Sequence, residues 1–340
     1  MILAVALSGC SSKKHRRQAS ILTPQSSGNP YEVMVVADDS VYQGYAGKAL
    51  QNILDKSVLG LPQPEEQFHK SHIELKHFDR VTNLFRNIFK INIDNHYTMA
   101  KMHVERDVYS TPQLIITLNS PDQVQASVYI TEHAKQIESI FNSEEINRAA
   151  NDLVDSHNNK FAEAVEKTFG CKFYIPISIK DMKEGKDFIW ASDNGLSTIQ
   201  NIVIYSYPYV SQKMFQRGPY IALRDSMMKK NIPGGHPGQW MQTNKEFVWT
   251  KNISVRGAYC MEARGLWEMK GDAMGGPFVS HSYIDSVNNR VITVEGFVYA
   301  PDKMKRSMIR RLEAALYTLE TPDGTKKDAA KKEENNEENK

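Results

Sequence analysis

The chain has 340 residues, enough for one large domain or two modest ones. Its 42 Lys and Arg nearly balance 40 Asp and Glu, leaving a net charge of +2. That excludes an electrostatic nucleic-acid binder, since no basic run is interleaved with aromatics outside the tails. No apolar run reaches 18 residues, so no transmembrane helix is predicted.

Residues 1–10, MILAVALSGC, read as the end of a lipoprotein signal peptide. Leu7-Ser8-Gly9-Cys10 resembles a lipobox, in which Cys10 becomes the acylated mature N-terminus. The stretch is shorter than a secretory signal and lacks its opening positive charge, as a start codon placed too far downstream would leave it. Acyl chains on Cys10 would hold the chain on a membrane at about 0.8 kcal/mol per buried methylene. Residues 11–29 are rich in Ser, Gln and basic side chains and read as a flexible tether, spanning roughly 25 Å.

The folded part is expected from Pro30 to about residue 320. Tyr31–Ala37 reads as a buried strand and Val41–Lys56 as a helix with Ser40 and Gln43 as its capping box. Asp38 and Asp39 lie at the strand's carboxyl end, where they either bind a ligand or stabilise the helix start. His69, His72 and His77 form a cluster without the spacing or the acid or cysteine partner of a zinc set, so no metal site is expected. Further strands are predicted at Asn87–Asp94, Met102–Asp107 and Gln113–Leu118. Ser120-Pro121-Asp122-Gln123 starts one helix; Ser143 is read as the cap of a second, which ends at Gly170.

Beyond Gly170, Phe173–Ile177 is strand-like, and Lys180–Gly185 reads as a boundary between two subdomains. Asp187–Ala191 and Asn201–Tyr207 are predicted strands, Tyr220–Lys230 a helix. Arg86-Asn87-Ile88 and Gln200-Asn201-Ile202 each open an apolar strand, a hint of duplication. The last helix, Asp302–Leu319, carries Lys303, Arg306, Arg310 and Arg311 off its apolar stripe, on a face expected to be solvated. Residues 321–340 are mostly Lys, Glu, Asn and Asp, with Pro322 the one apolar residue larger than alanine, the composition of a disordered tail.

The richest stretch for chemistry is Ala258–Tyr299. From Ala258 to Lys270 the pattern alternates with period two, placing Met and Trp on a core face and Glu262, Arg264 and Glu268 on a face expected to see water. Phe278–Val287 and Arg290–Tyr299 then form a hairpin about Asn288-Asn289, with His281 opposite Gly296 and Glu295 across from Ser282. Glu262, Glu268, Asp272, His281 and Glu295 are the candidate acid and base groups. Arg264, Trp267, Tyr207 and Tyr209 are candidate binding residues, with Trp240 and Trp249 as further contact aromatics. No nucleophile elbow is present. With Cys10 assigned to lipid, Cys171 and Cys260 are expected to be free thiols.

PYEVMVVADD (30–39), GLPQPE (60–65), EGKDFIWAS (184–192), QNIVIYSYPY (200–209) and ARGLWEMKGDAMGGPFVSH (263–281) together resemble a lipoprotein family of the Bacteroidetes, known as domain of unknown function 4837. The resemblance implies a bacterial envelope lipoprotein and carries no catalytic residues. The basic residues after Cys10 contrast with the acidic export signals of surface lipoproteins in that group, favouring the outer membrane on its periplasmic side.

The fold expected is α+β, with mixed, mainly antiparallel sheets, flanking helices and two subdomains. The function expected is a non-catalytic binding or scaffold lipoprotein for an envelope protein or glycan, without cofactor. The rival readings are a small-ligand carrier and a cell-wall or glycan hydrolase using two carboxylates of the 262–295 region.

Overall fold

The computed structural model describes residues 23–322. Cys10 and residues 323–340 of the tail lie outside the described residues. The last part of the tether does not: Ser26 N–H donates to the Thr111 carbonyl at 3.2 Å and Ser27 N–H to that of Leu84 at 2.9 Å, fastening it to the folded chain.

The first unit runs β1 (Glu32–Val36), α1 (Asp39–Tyr42), α2 (Tyr45–Leu54), β2 (His69–Ile73), β3 (Asn87–Ile93), β4 (Lys101–Arg106), β5 (Leu114–Ser120), α3 (Gln123–Glu132) and α4 (Ala134–Asp155). Its sheet order is β2-β1-β3-β5-β4, parallel except for the β4–β5 pair. Alternate residues divide it into two faces. Val33, Val35, Phe89, Ile91 and Ile116 pack under α1–α4, while Met34, Val36, Ile88 and Ile115 meet Leu75, Phe78 and Phe85. The predicted helix 41–56 is two helices broken at Gln43-Gly44, and α1 has no side-chain cap. Asp122, not Ser120, caps α3, accepting from Gln125 N–H at 2.8 Å. Ser143 caps nothing: it sits inside α4, which already runs from Ala134, so the N–H groups beyond it find their acceptors in the helix itself.

The second unit follows as α5 (Asn159–Phe169), β6 (Asp181–Gly185), β7 (Phe188–Ser192), β8 (Ile199–Pro208), α6 (Arg217–Asn231), β9 (Trp240–Val255), β10 (Ala258–Lys270), β11 (Gly275–Asp285), β12 (Arg290–Tyr299) and α7 (Arg306–Leu316). Its seven strands run β6-β7-β8-β12-β11-β10-β9, every pair antiparallel. The fold is α+β with two subdomains. Phe161, Val165 and Phe169 of α5 already belong to the second core, so the cores change over near residue 157 rather than 180. Residues 173–177 contribute Phe173 and Ile175 to that core without pairing as a strand. The short Arg-Asn-Ile and Gln-Asn-Ile matches open strands of a parallel and an antiparallel sheet, which removes the duplication.

Both faces of the second sheet are covered. Phe188, Tyr205, Trp267 and Phe297 pack beneath α6, and Ile202, Val279, Val294 and Val298 beneath α5 and α7. The hairpin register differs by two residues from that predicted: Asp285 pairs with Arg290, so four residues, 286–289, make the turn. A shift of two keeps each side chain on its face. His281 therefore faces Val294, and Glu295 faces Ser280. Gly296 makes room for α7 instead of for a ring: a Cβ there would lie 2.6 Å from Leu312 Cβ.

The two units are joined through the loop Gly60–Glu65. Gly60, at φ +86°, lies against β10, where a Cβ would meet Arg264 Cβ and Gly265 N at 3.2 Å. Glu65 is buried and accepts from the N–H groups of Lys305 and Arg306 at 2.7 and 2.8 Å. Lys305 provides no side-chain cap for α7, so a carboxylate from the first unit satisfies the orphan N–H groups of a helix in the second.

Candidate functional site

On the α7-facing side of the second sheet, three neighbouring strands bring Lys251, Glu262 and His281 into one row. Arg264 follows Glu262 by two residues and so shares its face. Across α7, Arg310 and Glu313 are three apart and point the same way. The result is an ionic cluster, buried except for Lys251, where sequence periodicity predicts a wet face. Period two assigns faces; it does not say what covers them. Here α7 and the first unit do.

Arg264 is the hub. Its Nε donates to Glu262 Oε1 at 2.7 Å and its Nη1 to Glu313 Oε2 at 3.3 Å, while Nη2 reaches Glu262 Oε2 at 3.2 Å and also bonds Glu313 Oε1. Lys251 Nζ stands 3.1 Å from Glu262 Oε1, and Arg310 Nη1 donates to Glu313 Oε2 at 3.1 Å. Burial pushes both carboxyls up, but the opposing charge outweighs it. Arg264, with Lys251 adding to it, holds Glu262 well below the usual carboxylate range. Arg264 and Arg310 likewise lower Glu313. His281 is fully buried, its Nε2 3.6 Å from Glu262 Oε2, beyond a good hydrogen bond. The Tyr317 ring covers it edge-on at 4.8 Å.

This cluster floors a cleft of about 690 Å³ between the two units. Lys56, Glu138 and Asn142 line its first-unit wall, and Lys251, Arg264 and Glu313 its second-unit wall. Beside it runs the open edge of β9, with Trp249 directly across from Arg264. Trp249 and Phe247 are 41% and 46% exposed on this same side of the sheet. Leu59, 51% exposed, lines the cleft from the first unit.

The remaining predicted residues lie elsewhere. Glu295 is on the α6 side, fully buried, and accepts from Arg224 Nε and Nη2 at 2.9 and 2.7 Å. Burial raises its carboxyl even against that guanidinium. Glu268 accepts from Gln242 and Asn244 at the end of the sheet, and Asp272 accepts from Met274 N–H in the following turn. Trp267 is core, its indole N–H donating to the Val298 carbonyl at 3.2 Å. Tyr207 and Tyr209 pack against the α6-side core, and Lys229 and Lys270 stand 4.0 and 4.3 Å from the Trp240 ring centroid. Of the five acid and base candidates, only Glu262 and His281 come together. Sequence reasoning missed Glu313 and Arg310, whose helical spacing was visible but whose burial was not; Arg310 is only 6% exposed.

Cys171 and Cys260 are free and buried, and burial pushes both thiols up to about 12. His72, from the histidine cluster, stacks on Tyr42 at 3.8 Å and hydrogen-bonds the Ala37 carbonyl at 2.9 Å.

Residues 158–318 match the family model "Domain of unknown function (DUF4837)". The second unit is a DUF4837 domain. Residues 26–154 match a separate model, "Domain of unknown function (DUF8532)". The motifs at 30–39 and 60–65 thus fall in the DUF8532 region, and those at 184–192, 200–209 and 263–281 in the DUF4837 domain. The cleft is bounded by both. No curated protein matches the chain. A crystal structure of a protein from Bacteroides thetaiotaomicron VPI-5482 shares 10% identity with a TM-score of 0.26, covering 46% of this chain and 46% of that one. At that score the likeness carries no argument about fold or function.

Proposed function

We propose that the chain is an envelope lipoprotein, anchored through Cys10 to the periplasmic side of the outer membrane, that binds an envelope protein or glycan in the cleft between its two units without catalysis. The observation that carries this reading is the pairing of fixed charge on the cleft floor with exposed aromatics on the neighbouring edge strand β9. General acid catalysis needs a carboxyl protonated near neutral pH. Glu262 and Glu313 are both held ionised by arginine instead. A carrier of apolar ligands needs an apolar enclosure, whereas lysines, arginines and glutamates line this cleft. Trp249, Phe247 and Leu59 supply the exposed anchors that recognition surfaces use.

Crosslinking in intact cells, followed by purification of the tagged chain and mass spectrometry, tests this. A discrete partner is expected, lost in Cys10→Ser and reduced in Trp249→Ala. Enrichment equal to that of both variants would refute binding through the cleft.

A further inference from the structure

The buried donors of the inter-unit junction are not all satisfied. Arg310 Nη1 binds Glu313, yet Arg310 Nε is buried with no hydrogen-bond acceptor among the described residues. The Tyr31 hydroxyl is likewise buried and unpartnered. The two side chains are neighbours: the Arg310 guanidinium lies over the Tyr31 ring, 4.9 Å from its centroid. Arg264, by contrast, spends its donors on two carboxylates. Leaving a buried donor unsatisfied is costly, and natural folds rarely do so without a reason.

Tyr31 is also held at φ +59°, in the left-handed region that a bulky side chain adopts only when its surroundings impose it. The chain bends there to lay the ring beside Arg310. Arg310 lines the cleft already described and also a second one of about 570 Å³, which Tyr31 lines too. Cationic side chains outnumber carboxylates around both, five to three and four to three. A planar guanidinium with free donors, a phenolic hydroxyl and an excess of positive charge together suit an oxyanion.

We propose that Arg310 and the Tyr31 hydroxyl hold an oxyanion, the carboxylate or phosphate of the ligand that occupies the inter-unit junction. This rests on the cleft being the binding site and names the chemistry that it recognises. It also accounts for a tyrosine hydroxyl placed where it contributes nothing to the unliganded fold.

The test measures thermal unfolding and calorimetric binding of the full-length chain with sodium phosphate and with sodium acetate, against sodium chloride at equal ionic strength. At least one oxyanion should raise the unfolding midpoint above the chloride control. Tyr31→Phe should leave the unliganded midpoint unchanged or higher while weakening that anion about tenfold. Arg310→Lys, which keeps the charge and loses the fork, should weaken it at least as much. Vesicles of phosphatidylglycerol in phosphatidylcholine separate the sources: binding that soluble phosphate competes away assigns a lipid headgroup, and response to soluble anions alone assigns a soluble ligand. Equal affinity in Tyr31→Phe and wild type, or no oxyanion effect beyond chloride in either arm, overturns the proposal. Partner capture in cells that persists in Tyr31→Phe would leave the cleft reading standing without it.

Discussion

Replacing Arg264 with methionine removes the donors that hold Glu262 and Glu313 at once, while keeping a side chain of similar length. Breaking a buried ionic group from one side costs about 3–5 kcal/mol, because the stranded charge keeps its desolvation penalty. Glu262 retains Lys251 at 3.1 Å and Glu313 retains Arg310 at 3.1 Å, so the lower end, about 3 kcal/mol, is the appropriate figure. For a unit of this size each kcal/mol moves the midpoint by about 2–4 °C, giving a fall of about 6–12 °C at pH 7. Tryptophan fluorescence reads it cleanly, since all four tryptophans, Trp190, Trp240, Trp249 and Trp267, lie in the second unit. The pH dependence supplies the discriminating control. Both carboxyls sit below their unfolded values, so the wild-type cluster stabilises the fold above the ordinary carboxylate range and loses that contribution as pH falls through the lowered values. In the variant, burial without Arg264 favours the protonated acids, and the cost shrinks on acidification. The gap between the two proteins should narrow markedly by about pH 4. A fall under about 2 °C at pH 7, or an equal fall at both pH values, would refute the view that Arg264 neutralises buried charge.

Two other outcomes follow from the junction and the core. Glu65→Ala removes the cap that the first unit places on α7 and should cost about 1–2 kcal/mol, with faster proteolysis between the units; unchanged stability and cleavage would mean that solvent replaces the cap without loss. Cys171 and Cys260 should resist a thiol-specific disulfide reagent at about pH 8 in the native chain and react fully in urea, since the thiolate is the reactive form and both are raised to about 12; rapid native labelling of either would show that the strands of the second core open readily.

Much of the architecture follows from local pattern. The alternation of residues 258–270 bounds β10 at both ends, and Gly170 ends α5 in the left-handed conformation that only glycine adopts freely. Hairpin faces survive even a register shift of two, because side-chain direction depends on parity alone. Long-range covering does not follow from such patterns. Nothing in the spacing of Glu262 and Arg264 says that α7 and the first unit will close over them, and nothing in the stripe of α7 marks Arg310 for burial beside Tyr31, 279 positions earlier in the chain. The division between units was missed for a related reason: α5 joins the second core through contacts distant in sequence, so composition near residue 180 held no trace of it. Sequence by itself determined which residues alternate, which helices are amphipathic and which residues end them, because those properties arise within a few residues. The tertiary structure alone decided which polar faces lie dry, which charges neutralise one another and which donors are left over, because each depends on what two separately encoded units place on opposite sides of the same cleft.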